Sequence, residues 1–157
     1  MKIKNGEHPR GDAGQLVLLI VFLIVWGGDS FFFHRSTFLS DYMPLYVRLA
    51  LLMIVEFGAI ALVRSGHVVV DGGDPAKKLV TSGGFRYVRH PLYLGCLLFY
   101  VGLVIATLSL YSLILFGGIF AFYDYIASYE EKFLEEKFPA EYPTYKEKTD
   151  KWIPRII

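Results

Sequence analysis

Long apolar runs separated by short charged stretches dominate the chain. A transmembrane helix takes about 20 mostly apolar residues, and residues 15–33 and 45–63 each meet that description. The first run carries no charge before Asp29, and Gly27-Gly28-Asp29 is expected to break it near its end. The second holds Arg48 near its start and Glu56 inside it. Residues 92–123 contain no charged side chain at all. That run is too long for one ordinary span and slightly short for two. It reads as a tight helical hairpin turning near Thr107-Leu108-Ser109, with its second arm over residues 110–126. The pattern thus predicts an all-α integral membrane bundle of about four helices. A short amphipathic helix is expected to start near Ser128, with Phe133, Leu134 and Phe138 on its apolar face. Phe138-Pro139 and Tyr142-Pro143 are expected to end it.

Composition agrees. The 157 residues are 54% hydrophobic and 20% charged, which suits one small membrane domain and excludes a disordered chain. Residues 1–65 supply two spans, 66–91 a loop, 92–127 the hairpin and 128–157 a tail. With four spans, the N-terminus, the loop and the tail share one side. Lys2, Lys4, Arg10, Arg64, Lys77, Lys78, Arg86, Arg89, Lys132, Lys137, Lys146, Lys148, Lys151 and Arg155 fall there, 14 of the 16 basic residues. Only Arg35 and Arg48 fall opposite, so both termini are expected in the cytoplasm. The first run begins only at residue 16 and no small-x-small site follows, so it does not read as a signal peptide. A net charge of +1 gives no reason to expect a nucleic-acid partner.

The sharpest local feature is the run Gly84-Phe85-Arg86-Tyr87-Val88-Arg89-His90-Pro91-Leu92-Tyr93-Leu94-Gly95. Pro91 suits the first position of a helix, where its missing N–H is not needed. The free N–H groups of that helix start, with Arg86 and Arg89 beside them, make a seat for a carboxylate or phosphate. Read singly, the arginines are positive-inside anchors and Tyr93 an interfacial aromatic. Gly95 would let a neighbouring helix or a flat ring approach. The second feature is Glu130-Glu131, whose side chains diverge by about 100° on a helix. One can face a cavity while the other orients a partner, accepting bonds from hydroxyls or an ammonium. Glu135 and Glu136 read as a solvated acidic face. Glu56, an ionisable group within a span, is either paired with a Tyr or Trp of another helix or holds a substrate. Asp29 and Asp124 lie near span ends, where charge is cheap, and are given no role. Cys96, the one cysteine, excludes an internal disulfide and reads as packing. His8, His34 and His67 are scattered without metal-binding spacing, so no metal is expected. No G-x-G-x-x-G loop is present, hence no Rossmann-type nucleotide site.

Arg89-His90-Pro91-Leu92-Tyr93-Leu94-Gly95, the charge-free hairpin, Glu130-Glu131 and the spaced Phe138, Tyr142 and Tyr145 form an ordered set. Together they resemble the isoprenylcysteine carboxyl methyltransferases and the related phospholipid N-methyltransferases, over about Leu79 to Pro154. The resemblance implies S-adenosylmethionine as methyl donor, bound at the cytosolic face. It implies that His90, Pro91 and Tyr93 line the cofactor pocket. Phe85 would be an upstream aromatic contact, Leu79 and Val80 backbone contacts, and Arg89 part of the anion seat. Glu130 and Glu131 would hold the cofactor from the other side. The acceptor would be lipophilic and reach the site from the membrane lipids. The carboxyl methyltransferases carry an Arg four residues before the Glu pair, where this chain has Ile126, and a Phe-Gly where this chain has Phe138-Pro139. A prenylcysteine carboxylate, an amine and a thiol therefore all stand as acceptors. A sterol-type membrane reductase using a nicotinamide cofactor and a non-enzymatic membrane scaffold are the alternatives.

Overall fold

The computed structural model describes residues 11–71 and 78–154. The expected Gly72-Gly73-Asp74-Pro75 turn and the basic residues Lys2, Lys4, Arg10, Lys77 and Arg155 lie outside them, as does His8. Among the described residues every regular element is helical: α1 (Gly11–Gly27), α2 (Leu45–Asp71), α3 (Pro91–Thr107), α4 (Leu110–Lys137) and a short α5 (Tyr142–Lys148). Three segments, Gly11–Phe33, Leu45–His67 and Leu110–Lys137, are long and apolar enough to cross a membrane, and Pro91–Thr107 is a shorter apolar helix. The chain is an integral membrane protein.

The hairpin turns at the expected place. Leu108 adopts a left-handed conformation (φ 52°) and its N–H bonds the Val104 carbonyl, closing α3. Ser109 then caps α4 by accepting from the Ser112 N–H. Three further boundaries differ from the sequence expectation. Gly27-Gly28 does not stop the first helix but widens it into a π-helical turn over Gly28–Phe33. The acidic stretch after Ser128 is no separate helix; it continues α4 without a break, and Phe138 closes it. Tyr142-Pro143 then opens α5 rather than ending a helix, because proline is as well suited to a first turn as it is unfit for an interior. At 28 residues α4 is about 42 Å long. A bilayer core is about 30 Å, so the charged end of α4 projects beyond it.

α1 packs on α4, and α2 on α3 along most of their length. Phe22, Leu97, Tyr100, Val104, Ile119, Tyr123 and Ile126 form the buried core between α1, α3 and α4. Glycine sets the close approach of α2 and α3: a Cβ on Gly95 would lie 2.5 Å from Val63 Cγ2 and 3.0 Å from the Ala59 carbonyl. Tight backbone approach at small residues is how helices associate where no hydrophobic drive exists between them.

Asp29 departs from its expected idle role. It is 4% exposed and accepts bonds from the N–H groups of Arg35 (2.9 Å) and Ser36 (3.0 Å) and the hydroxyls of Ser36 (2.5 Å) and Ser109 (2.6 Å). The π-turn carries it under the α3–α4 turn, so one carboxylate ties α1 to the hairpin. Arg48 bonds the carbonyls of Met43 (3.2 Å) and Ala106 (2.7 Å) at the same end of the bundle.

Candidate functional site

The opposite end gathers the α3 start, the α4 end and the tail. His90 is the residue before α3, with Pro91 in the first turn and fully buried. Pro91 forces His90 out of helical geometry, and this aims the imidazole across at α4. His90 Nε2 lies 3.2 Å from Glu131 Oε1, and Nδ1 lies 3.8 Å from Glu130 Oε2. One turn along, the Tyr93 hydroxyl donates to Glu130 Oε1. The His90 and Tyr93 rings stack at 5.7 Å between centroids. Burial holds the His90 pKa below its ordinary value, against the opposing pull of Glu131. Burial thus favours the neutral ring.

Arg89 does not stand open as an anion seat. Its Nε donates to Glu131 Oε1 at 2.9 Å and its Nη1 to the Thr149 carbonyl at 2.6 Å, and its side chain is only 10% exposed. It works inside the protein, fastening the tail to the double-acid turn. Glu131, buried and held by Arg89, His90 and Lys146 (3.7 Å), is likewise spoken for. Glu130 is the more open of the pair, its side chain 20% exposed. Arg86 lies in a short 3₁₀ turn, Gly83–Arg86, away from these bonds.

Leu79, Val80, Phe85 and Arg89 come together with Leu134, Phe138, Tyr142 and Tyr145 around a cavity of about 150 Å³. Tyr145 donates to the Phe85 carbonyl at 2.6 Å. The Tyr142 hydroxyl is buried and has no hydrogen-bond partner. Burial pushes both phenols above their usual range, so both stay protonated. The expected site residues therefore form two joined groups, the cavity and the His90–Tyr93–Glu130–Glu131 cluster, with Arg89 common to both.

Glu56 belongs to neither group. It lines a second, apolar cavity of about 520 Å³ with Leu16, Leu19, Val63, Phe99 and Tyr123. The pairing expected for it with a Tyr or Trp does not form for Oε1, which is buried without a hydrogen-bond partner. Ile126 is fully buried in the core. Cys96, expected as packing, also borders the larger cavity.

The end of the tail makes contacts that no motif in the sequence foreshadows. Asp124 accepts from Lys151 Nζ (2.6 Å) and Trp152 Nε1 (2.9 Å), and Lys151 also reaches the Ser128 hydroxyl (2.7 Å). This brings the Trp152 ring to 5.9 Å from the His90 ring. The Arg89 N–H bonds the Asp150 carbonyl at 3.0 Å, closing the tail over the α3 start. No spacing in the chain announces these contacts, which join residues about 25 to 60 positions apart. Among the described residues no group of three potential metal ligands exists.

The family model for phospholipid methyltransferase matches residues 45–141, well over half of the chain. The chain belongs to the phospholipid methyltransferase family. The match runs from α2 through the whole double-acid stretch and stops just before α5. A probable protein-S-isoprenylcysteine O-methyltransferase of Oryza sativa subsp. japonica is 32% identical over 117 residues, covering 71% of this chain and 61% of that protein. The protein-S-isoprenylcysteine O-methyltransferase of Saccharomyces cerevisiae is 36% identical over 93 residues, 57% of this chain and 38% of the relative. That of Dictyostelium discoideum is 29% identical over 145 residues, 90% of this chain and 61% of the relative. The chain thus spans about three fifths or less of the length of these relatives.

Proposed function

We propose that this protein is an S-adenosylmethionine-dependent membrane methyltransferase acting on a lipophilic acceptor. The observation that carries the reading is the junction of His90 and Tyr93 with Glu130 and Glu131, two segments some 40 positions apart. Family membership and the O-methyltransferase names of the relatives favour it over a reductase or a scaffold. The residues suit such a cofactor by their donor set. Glu130, the more open carboxylate, would accept from an ammonium or from ribose hydroxyls. The small cavity of Leu79, Val80, Phe85 and Tyr142 offers aromatic walls and a hydroxyl without a partner. The uncapped start of α3 would offer the N–H groups of the residues that follow Pro91 and a positive dipole end for a carboxylate.

When bound, the cofactor's sulfonium supplies an electrophilic methyl carbon, so little acid–base help is needed. The protein's work is alignment. Tyr93 fixes Glu130, while Arg89 and His90 fix Glu131, so the double-acid turn is held rigid against α3. Holding donor and acceptor at near-attack geometry is itself worth several powers of ten in rate. The site lies at the end of the bundle bearing Arg64, Lys78, Arg86 and the basic residues of α4 and the tail. By the positive-inside rule that end, with both termini, faces the cytoplasm.

The test is calorimetric titration of S-adenosylhomocysteine into the protein in lipid nanodiscs, with NADPH as comparison. Saturable binding of the homocysteine compound alone is expected, weakened in His90→Ala and Glu130→Ala. No binding to the wild type, or preference for NADPH, overturns the reading. Unchanged affinity in both variants overturns the site assignment.

A further inference from the structure

The short turn Gly83–Arg86, which leads into the His90-Pro91 segment, borders two cavities. Phe85 lines the small one beside α5. On the other side Gly83, Gly84, Arg86 and the following Tyr87 line a recess of about 470 Å³, together with Ala61, Leu62 and Ser65 of α2. At about 100° per residue, these three lie on the side of α2 opposite Glu56, Ile60 and Val63. The recess is therefore separate from the larger cavity that those residues border. It sits at the Arg64 end of the Leu45–His67 span, at the depth of the lipid headgroups.

Arg86 and Tyr87 are both exposed, and neither side chain has a hydrogen-bond or ion-pair partner among the described residues. Ser65 spends its hydroxyl proton on the Leu62 carbonyl at 2.8 Å. The guanidinium and the phenol are thus the donors on offer, and no acid lines the recess. Ala61 and Leu62 continue the lining onto the apolar surface of α2. A cationic fork beside a phenol, above an apolar strip, suits a phosphodiester with an acyl chain below it. Without an acid, a choline or ethanolamine ammonium finds no partner here and is repelled by Arg86. The turn itself is wedged between two helices. A Cβ on Gly84 would lie 2.5 Å from Ser65 Oγ and 2.9 Å from Pro91 Cβ. Its far side is tied to α5, where Tyr145 donates to the Phe85 carbonyl at 2.6 Å.

We propose that this recess binds one anionic phospholipid, its phosphate held by Arg86 and Tyr87 and one chain lying along Ala61 and Leu62. The lipid is a regulatory ligand and not an acceptor, because it meets the opposite face of the turn from the small cavity. Resting on the methyltransferase reading, the bound lipid steadies the Gly83–Arg86 turn and so raises the affinity of the donor site on the turn's other face.

The experiment uses the full chain, delipidated in a non-ionic detergent, with bound dioleoyl phosphatidylglycerol and dioleoyl phosphatidylcholine counted by native mass spectrometry. One phosphatidylglycerol is expected per chain, bound at least about fivefold more tightly than phosphatidylcholine. Arg86→Gln is expected to bring the two lipids within about twofold of each other. Arg64→Gln, which removes a neighbouring cation outside the recess, is expected to keep the preference. Glycerol 3-phosphate, a headgroup without chains, is not expected to displace the lipid. S-adenosylhomocysteine is titrated into the same preparations by calorimetry. Phosphatidylglycerol is expected to tighten its binding about fivefold in the wild type and not in Arg86→Gln. Equal binding of the two lipids, a preference unchanged in Arg86→Gln or lost equally in Arg64→Gln, or displacement by glycerol 3-phosphate each overturns the lipid site. Binding of the nucleoside that is indifferent to the lipid overturns the link between the two sites. A chain that selects phosphatidylglycerol but never binds the nucleoside keeps the lipid site and loses the methyltransferase reading instead.

Discussion

Replacing Glu131 by leucine strands Arg89. The two side chains are 8% and 10% exposed and meet at 2.9 Å, so the guanidinium cannot recover its lost partner from water without leaving its place. Removing one member of a buried pair costs about 3–5 kcal/mol. The double substitution Arg89→Met with Glu131→Leu removes both charges and avoids that penalty. It still forfeits the bonds from Arg89 to the Thr149 and Lys146 carbonyls and the bond between His90 and Glu131, each worth about 1 kcal/mol. Glu131→Leu alone loses the His90 bond as well and strands the guanidinium besides, so the double variant is expected to be the more stable of the two, at a net cost of about 3 kcal/mol. Unfolding by denaturing detergent in mixed micelles, followed by far-ultraviolet circular dichroism, measures both. Glu136→Gln, at an exposed position of the same helix, is the control, expected within about 0.5 kcal/mol of wild type. A Glu131→Leu cost no larger than the control, or a double variant worse than the single, refutes the reasoning.

Further outcomes follow from the same geometry. Because burial depresses the His90 pKa in the folded protein, the unfolded chain binds the proton more readily. Stability is then fully present above about pH 6.5 and falls as the pH drops through the folded value; His90→Gln should flatten that slope in a detergent-unfolding series from pH 8 to about pH 5. Asp29→Ala leaves four donors without their acceptor and should cost at least about 2 kcal/mol in the same assay, without changing the affinity for S-adenosylhomocysteine. Gly95→Ala presses a methyl group against Val63 and the Ala59 carbonyl and should cost about 1–3 kcal/mol. Gly118→Ala, with nothing near its Cβ, should be neutral or stabilising by up to about 1 kcal/mol.

How far the chain could be read in advance differs from one residue to the next, and for physical reasons. The hairpin turn at Leu108-Ser109 was legible because an uncharged run of fixed length can fold back in few places, and serine is a good cap. The joining of α3 to the double-acid turn was legible because the hairpin itself brings the two together. Asp29 and Asp124 were not legible. Each lies near a span end, where hydropathy alone calls charge cheap, and its worth comes from partners on other elements. Glu56 was half legible: its cost inside a span is visible in the sequence, whereas the recess at Gly102 is visible only in three dimensions. The continuity of α4 past Ser128 was hidden because the change from apolar to charged residues marks the edge of the membrane, not the end of a helix.

Hydrogen–deuterium exchange of the protein in nanodiscs, with and without S-adenosylhomocysteine, tests the central claim most directly. The account predicts joint protection of the segments around residues 79–94 and 128–145, because both clasp the same molecule, with the outer turn around residues 104–112 unchanged. Protection of only one of the two segments, or of neither at saturating ligand, would contradict it.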